Sequence, residues 1–197
     1  MSDDKQVDKT RRNLVIATCA AGGVGGVAAA VPFAASWMPS ERTKAGGAPV
    51  VADISALEPG QSMTVEWRSK PVWIIRRTKE MLASLSSVDG KVSDPASDVP
   101  MQPEYAKNAT RSIKPEVLVL VGICSHLGCS PSAKLQPGPQ PSLPDDWQGG
   151  FFCPCHGSMF DLAGRVYKNK PAPDNLEVPP YVFLSDSRLL IGDDKKA

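Results

Sequence analysis

The sequence predicts a mainly β domain carried on a single N-terminal helix that spans a membrane. The chain has 197 residues with 19 Pro, 16 Gly and only 6% aromatic residues, which favours short strands and ordered loops over a helical bundle. An uncharged run extends from Leu14 to Met38, and short apolar or alternating segments follow it. The net charge of +1 gives no reason to expect a nucleic acid partner. We therefore expect one modest domain with one small core beyond the anchor.

The N-terminal region is typical of an exported membrane anchor. Residues 1–13 are polar, and Arg11 and Arg12 precede the apolar run in the order of a twin-arginine export signal. As a helix, residues 14–38 would span roughly 37 Å at about 1.5 Å per residue, enough for a hydrocarbon core of about 30 Å. The arginines should stay inside, which places the rest of the chain outside. A cleaved secretory signal is the alternative, because small residues near Ala34 are compatible with cleavage.

Residues 39–49 are expected to form a flexible tether between this anchor and a head domain at 50–197. Gly46, Gly47 and Pro49 all discourage regular structure. Composition by itself indicates a linker that connects the two parts of the chain.

The head domain shows strand patterns separated by turn signals. A short helix is expected over 78–85 and a polar loop over 86–112, and Asp186 with Ser187 should form a hairpin turn. Phe151 and Phe152 should lie in a strand. Further strands are expected at 63–67, 71–76, 116–123, 165–167, 181–184 and 188–191.

Cysteine and histidine are scarce and concentrated in two boxes. Of five Cys and two His, four Cys and both His lie in Cys124–Cys129 (CSHLGC) and Cys153–Ser158 (CPCHGS). Each box supplies a Cys and a His plus one additional Cys. Two thiolates and two imidazoles suit a [2Fe–2S] cluster with one histidine-ligated iron, and neutral imidazoles raise its reduction potential. Cys19 lies in the apolar run and is expected to be a small apolar residue without chemistry.

A structural zinc site is the alternative interpretation of these boxes. Zinc also binds two cysteines and two histidines. Zinc fingers, however, usually pair two cysteines in one half and two histidines in the other, whereas each box here mixes the two residue types. A zinc site would also leave Cys129 and Cys155 without a role.

The two boxes resemble the signature boxes of the Rieske iron–sulfur proteins of bacterial cytochrome bc1 complexes (ubiquinol–cytochrome c reductases). The resemblance covers nearly the whole chain, including the twin-arginine anchor, the tether and Lys170–Tyr181 (KPAPDNLEVPPY). It implies an all-β head domain, built as an antiparallel sandwich with a smaller cluster-binding subdomain at about residues 121–175. It also implies one [2Fe–2S] cluster per subunit.

The resemblance also implies roles for the residues of the boxes. Cys124 and Cys153 would bind one iron, while His126 and His156 would bind the other. His156 would accept a hydrogen bond from the quinol hydroxyl, and Leu127 would be an exposed apolar contact with the partner at the quinol site.

Cys129 and Cys155 would, by the same resemblance, form a disulfide that bridges the two cluster loops. Such a crosslink fixes the separation of the loops and shields the cluster. It requires an oxidising compartment, which agrees with export across the membrane.

Three further features would tune and cover the cluster. Ser158 resembles the serine that donates a hydrogen bond to a bridging sulfide. Phe160 stands where many relatives have a tyrosine that donates to a cysteine sulfur, so the potential is expected to lie below that of those relatives. Pro171, Ala172 and Pro173 resemble the proline loop that covers the third side of the cluster, and prolines stiffen such an exposed loop.

The family resemblance implies a place in a multi-subunit enzyme. The head would dock on cytochrome b at the outer quinol site, take an electron and a proton from quinol, and swing on its tether to cytochrome c1 in a dimeric complex. The chain would cross the inner membrane once, in contact with lipid, with its head in the periplasm. This electron transfer contributes to proton translocation.

Two relatives of other classes are weighed against this function. The Rieske small subunit of a periplasmic oxidase, such as arsenite oxidase, would share the cluster and the export signal but need no permanent span. An oxygenase component or its ferredoxin would lack both Cys129 and Cys155 and the anchor. The tether and the LEVPPY segment favour the quinol oxidoreductase.

Overall fold

The computed structural model describes residues 8–194, and the chain divides between Ala45 and Gly46 into two compact units. The first unit contains helix α1 (Lys9–Ser36), and helix α2 (Glu41–Gly46) ends at the boundary. All the strands described below belong to the second unit. The predicted tail lies partly outside the description, because residues 1–7 are not among the described residues.

Helix α1 is one uninterrupted apolar helix of 28 residues. Asp8 caps it, because its carboxylate accepts hydrogen bonds from the N–H groups of Thr10 at 2.9 Å and Arg11 at 3.2 Å, which satisfies donors that a helix start leaves open. None of its residues is buried, and Phe33 is 76% exposed. Among the described residues, α1 is the helix that is long enough and apolar enough to cross a membrane.

The tether contains more regular structure than its sequence predicted. Helix α2 occupies six residues of the segment 39–49, where Gly46, Gly47 and Pro49 had indicated none. The Ser40 hydroxyl accepts a hydrogen bond from the Thr43 N–H at 3.2 Å, and this cap favours a helical turn. The glycines and the proline lie at or beyond the end of α2, so they terminate the helix rather than prevent it.

The head unit consists of three antiparallel sheets of three strands each among the described residues, in the orders β1-β9-β8, β2-β3-β4 and β5-β6-β7. Helix α3 (Lys79–Ser87) follows β3, close to the predicted helix. The predicted hairpin turn joins β8 to β9. The strands are β1 (Val50–Asp53), β2 (Ser62–Trp67), β3 (Lys70–Arg76), β4 (Val117–Val121), β5 (Ser132–Lys134), β6 (Gly150–Cys153), β7 (Ser158–Phe160), β8 (Tyr181–Ser185) and β9 (Arg188–Ile191).

One main hydrophobic core is shared by all three sheets. Strand β4 is buried along its whole length, which explains its continuous apolar sequence rather than an alternating one. Gly192, with φ +99°, lets the Trp67 indole pack on the backbone after β9, where a Cβ atom would come within 2.3 Å of the indole nitrogen. Cys124 and Cys153 are themselves part of this core. The predicted sandwich is confirmed, and the site lies at one end of its core.

The strands differ from the sequence prediction in two respects. Residues 165–167 form no strand but only isolated bridges, which join Val166 to Phe160 and Tyr167 to Val92. The reason is that the Val166 N–H donates to the Asn175 side chain at 2.8 Å, so a side chain occupies the donor that a strand would use. Strands β1, β5 and β7 were not individually predicted; β5 and β7 have three residues each, which are too few to show a period.

Candidate metal centre

The first box forms a tight loop directly after the buried strand β4. The Cys124 N–H donates to the Cys129 carbonyl at 2.7 Å, and the Gly128 N–H donates to the Cys124 carbonyl at 3.1 Å. Gly128 adopts φ +81°, a conformation that costs glycine little. Backbone bonds thus hold the first cysteine of the box at the edge of the core.

The second box is the turn of the β6–β7 hairpin and is built in the same way. Cys153 pairs with Ser158 across the hairpin, and the Gly157 N–H donates to the Cys153 carbonyl at 2.9 Å. Gly157 has φ +76°. In both boxes, therefore, the carbonyl of the first cysteine accepts from a glycine four positions later.

The structure brings the four predicted ligands together. Cys124 and Cys153 are 2% and 1% exposed, carry free thiols and lie close enough for the Cys153 thiol to raise the pKa of Cys124. The rings of His126 and His156 lie edge to face with centroids 4.8 Å apart. His126 is half-buried and His156 is exposed. The sulfur donors thus face the core, while one imidazole faces solvent.

The predicted disulfide is present. Cys129 and Cys155 are bonded, with Cα atoms 6.7 Å apart, and they join the two boxes covalently. The sulfur of Cys153 lies within 4.8 Å of both sulfurs. Since the two bonded sulfurs are not thiolates, the available donor set is two thiols and two imidazoles.

This donor set fits a [2Fe–2S] cluster of the mixed cysteine and histidine type. Burial raises the pKa of the Cys124 thiol, and the neighbouring Cys153 thiol raises it further, against lowering by the His126 N–H and the Ser158 hydroxyl. A pair of buried thiolates therefore needs a compensating positive charge, and a metal ion supplies one because it deprotonates the thiols that bind it. The same donors suit zinc by number alone, but zinc fingers usually pair two cysteines in one half and two histidines in the other, whereas each box here supplies one free thiol and one imidazole.

Ser158 lies at the centre of the hydrogen bonds around the thiols. It is fully buried, its hydroxyl accepts from the Ala172 N–H at 3.0 Å, and the hydroxyl lies close enough to Cys124 to lower the pKa of that thiol. Because the backbone N–H occupies the acceptor side of the oxygen, the hydroxyl proton is free to donate to sulfur.

The predicted proline loop packs on this serine. Ala172 is 4% exposed, whereas Pro171 and Pro173 are exposed on either side of it. The Ser125 hydroxyl donates to the Asp174 carbonyl at 2.6 Å. The loop is therefore hydrogen-bonded to both boxes, through Ser125 of the first and Ser158 of the second.

The remaining predicted residues occupy different surroundings. Phe160 is fully buried opposite Phe151 in the β6–β7 pair, and it offers no donor to the site. Leu127 is 71% exposed at the tip of the first box. Arg11 and Arg12 are exposed on the first turns of α1.

A group of buried arginines behind the second box was not predicted. Arg77, Arg111 and Arg165 are each no more than 2% exposed. Arg165 pairs with buried Asp161 at 2.7 Å, and Asp161 also accepts from the Ala163 N–H at 2.9 Å. The sequence gives a partial signal in Asp161–Arg165 (DLAGR), an acid and a base four positions apart directly after β7, but nothing that marks either residue as buried.

Two family models match the chain. Residues 1–40 match the model described as ubiquitinol-cytochrome C reductase Fe-S subunit TAT signal. Residues 48–180 match the Rieske [2Fe-2S] domain. The second match covers most of the chain and includes both boxes, the disulfide and the proline loop.

Curated relatives match over almost the whole length of both chains. A protein of Allochromatium vinosum is 60% identical over 96% of this chain and 91% of its own. Proteins of Bradyrhizobium diazoefficiens and Blastochloris viridis are each 42% identical, over 93% and 98% of this chain and 94% and 98% of their own. All three are named ubiquinol-cytochrome c reductase iron-sulfur subunit.

Proposed function

Because the chain belongs to the Rieske [2Fe-2S] family, we propose that it is the iron–sulfur subunit of a quinol–cytochrome c oxidoreductase of the cytochrome bc1 type. The observation that carries this function is the 60% identity to an iron-sulfur subunit of that name, which extends over 96% of this chain and so includes the anchor as well as the head. An arsenite oxidase type of subunit is disfavoured by the same relationship.

Cys124 and Cys153 would hold one iron of the cluster, and His126 and His156 the other. When bound, the cluster supplies a reversible one-electron carrier whose potential is raised by its imidazole ligands. The two buried thiols keep the sulfur side of the site dry, and the disulfide holds the two boxes at a fixed separation.

His156 is the residue that would meet quinol. Its ring is exposed, and a ring nitrogen not bound to metal can accept the hydrogen bond of a quinol hydroxyl and then its proton. Leu127, 71% exposed at the neighbouring loop tip, would supply apolar contact with cytochrome b. The proton thus moves from the quinol oxygen to an imidazole nitrogen when quinol is oxidised.

Helix α1 would anchor the subunit in the inner membrane, with lipid around its exposed apolar side chains. Arg11 and Arg12 would direct export with the positive end inside, which leaves the head in the periplasm. Residues 39–49 would serve as the tether on which the head moves between cytochrome b and cytochrome c1.

A redox titration followed by EPR, on membranes that contain the full chain in its complex, tests this function. We expect a Rieske-type signal at positive potential that shifts when an inhibitor occupies the outer quinol site. A signal at clearly negative potential that ignores the inhibitor would point to an oxygenase-like carrier, and the absence of any signal would favour zinc.

Two exposed leucines test docking, one at the tip of the first box and one as its matched control. Leu127→Ala should weaken the inhibitor-dependent shift, because it removes apolar contact at the tip. Leu184→Ala, at an exposed position on β8, should leave the shift unchanged. Equal effects of the two variants would contradict docking through the first box.

A further inference from the structure

Arg111 is a fully buried arginine in the loop before β4. Its backbone has φ 49°, a left-handed conformation that costs free energy for a residue with a Cβ atom and persists where the surroundings impose it. Its hydrogen bonds indicate a role for this side chain.

The Arg111 guanidinium joins two segments that flank the site. One terminal nitrogen donates to the carbonyls of Ala163 at 3.1 Å and Gly164 at 3.2 Å, in the turn after β7. The other donates to the Leu176 carbonyl at 2.8 Å, in the segment that follows the proline loop. The Leu176 N–H in turn donates to the Gly164 carbonyl at 2.8 Å. The turn and the segment that follows the proline loop are therefore joined both by this backbone bond and through the Arg111 guanidinium.

A third segment completes the surroundings of this guanidinium. The nitrogen bonded to Leu176 also reaches the Gln102 amide oxygen at 3.0 Å. The Nε atom has no hydrogen-bond partner among the described residues, and no carboxylate is bonded to Arg111 there. Burial lowers the pKa of Arg111 to about 10, so the group is charged at neutral pH. A buried cation whose hydrogen bonds go to carbonyl and amide oxygens is suited to fixing backbone segments, while Asp161 and Asp94 stabilise its charge without a direct hydrogen bond.

The proline loop carries this constraint to the thiols. Its Ala172 N–H donates to the Ser158 hydroxyl at 3.0 Å, and its Asp174 carbonyl accepts from the Ser125 hydroxyl at 2.6 Å. A shift of Leu176 would disturb both hydrogen bonds, because few residues separate Leu176 from Ala172 and Asp174. Loss of the Ala172 bond would release the Ser158 hydroxyl from the orientation in which its proton points to sulfur.

We propose that Arg111 is a positioning residue for the cluster, which holds the proline loop in register with the second box and thereby sets the hydrogen bond that Ser158 donates to the sulfur side of the site. This role rests on the proposed function, since it concerns the potential of the cluster that the four ligands would bind. It assigns no contact between Arg111 and the cluster.

Arg111→Lys tests the proposal because it retains the charge and removes the fork that spans two segments. In membranes that contain the full complex, the variant should make reduction of the cluster about two- to tenfold less favourable, which is the value of one hydrogen bond. Amide exchange at Ala172 should also become faster. An unchanged potential with unchanged exchange would overturn the proposal.

A double-mutant cycle with Ser158 separates positioning from a charge effect. In a Ser158→Ala background, Arg111→Lys should no longer change the potential, because the hydroxyl through which Arg111 acts is gone. Equal shifts in both backgrounds would show that Arg111 acts independently of Ser158 and would reject the proposal.

Two further variants complete the test. Arg76→Lys is the matched control, because Arg76 also donates to a backbone carbonyl, that of Leu57 at 2.8 Å, but not to the segments around the site; its potential should be unchanged. If Arg111→Lys fails to fold, Gln102→Leu removes one acceptor of Arg111 and should lower the potential by a smaller amount, and an unchanged value would reject the proposal. The unsubstituted chain separates this proposal from the proposed function. If its EPR signal does not shift when the quinol-site inhibitor is added, the proposed function itself is refuted.

Discussion

Ser158 and Phe160 stand two positions apart on β7 and differ in what they can give to a metal-bound sulfur. Both are fully buried. Ser158 has a hydroxyl close to the Cys124 thiol, whereas Phe160, which pairs with Phe151 across the β6–β7 hairpin, has no hydrogen-bond donor in its side chain. Hydrogen bonds to the sulfurs stabilise the electron-rich reduced cluster, so this strand contributes one donor where two could act.

Phe160→Tyr is therefore expected to raise the reduction potential of the cluster. A phenol hydroxyl at this position would add one donor to a cysteine sulfur, which makes reduction about two- to tenfold more favourable. The potential is measured by EPR-monitored titration of membranes. Phe152→Tyr, at a half-buried position on the neighbouring strand, serves as the control and should leave the potential unchanged. A lower or unchanged reduction potential in Phe160→Tyr would refute this prediction.

At the scale of elements, the site depends on two loops that leave the core in the same manner. Each follows a strand, and each is closed by a bond between a glycine N–H and the carbonyl of the first cysteine. These backbone bonds close each loop on itself. The Cys129–Cys155 disulfide joins one loop to the other, across a sequence separation of 26 residues.

Removing this disulfide should loosen the site without removing a ligand. Replacing both Cys129 and Cys155 by Ser is expected to destabilise the head by about 2–4 kcal/mol, chiefly because the unfolded chain regains freedom. The cluster should then be lost at a lower temperature, as measured by the decay of its EPR or visible signal on heating.

Cys19→Ser is the control for loss of a thiol, because Cys19 lies in α1 and is not part of the disulfide. It should leave the temperature of cluster loss unchanged. If the double variant kept its cluster to the same temperature as the unsubstituted chain, the disulfide would have no stabilising role.

At the scale of the whole molecule, the chain combines two units with different requirements. Helix α1 exposes its apolar side chains along its length and needs lipid or a partner helix around them. The head unit has its own core, which ends at two free thiols that must acquire a metal. A twin-arginine signal is suited to this combination, because export in the folded state lets the cluster be inserted before translocation.

Replacing Arg11 and Arg12 together by Lys should prevent export while keeping the positive charge of the N-terminus. We expect the head domain to remain on the cytoplasmic side, where protease added to spheroplasts cannot reach it. Since the charge that determines orientation is retained, failure must come from signal recognition. Arg188→Lys, on β9, is the control and should leave the head accessible, and an accessible head in the double variant would rule out this export route.

Spacing along the chain was sufficient to predict much of this protein. The apolar run gave α1, and alternation or apolar runs gave β2, β3, β4, β8 and β9 close to their bounds. The two boxes indicated the donor set, and the family resemblance added the disulfide, which the structure confirms. These features depend on residues close together in sequence, where periodicity and ligand spacing are visible.

Tertiary structure alone decided the features that join distant segments. The Val166 N–H bonds to a side chain instead of a strand, and Arg111 reaches Leu176, 65 positions away. A charged residue in a polar loop gives no sign that it will be buried, because its burial depends on carbonyl groups that only the folded chain brings around it. Ligand spacing thus identifies which residues can bind a metal, whereas contacts between distant segments determine how rigidly those residues are held.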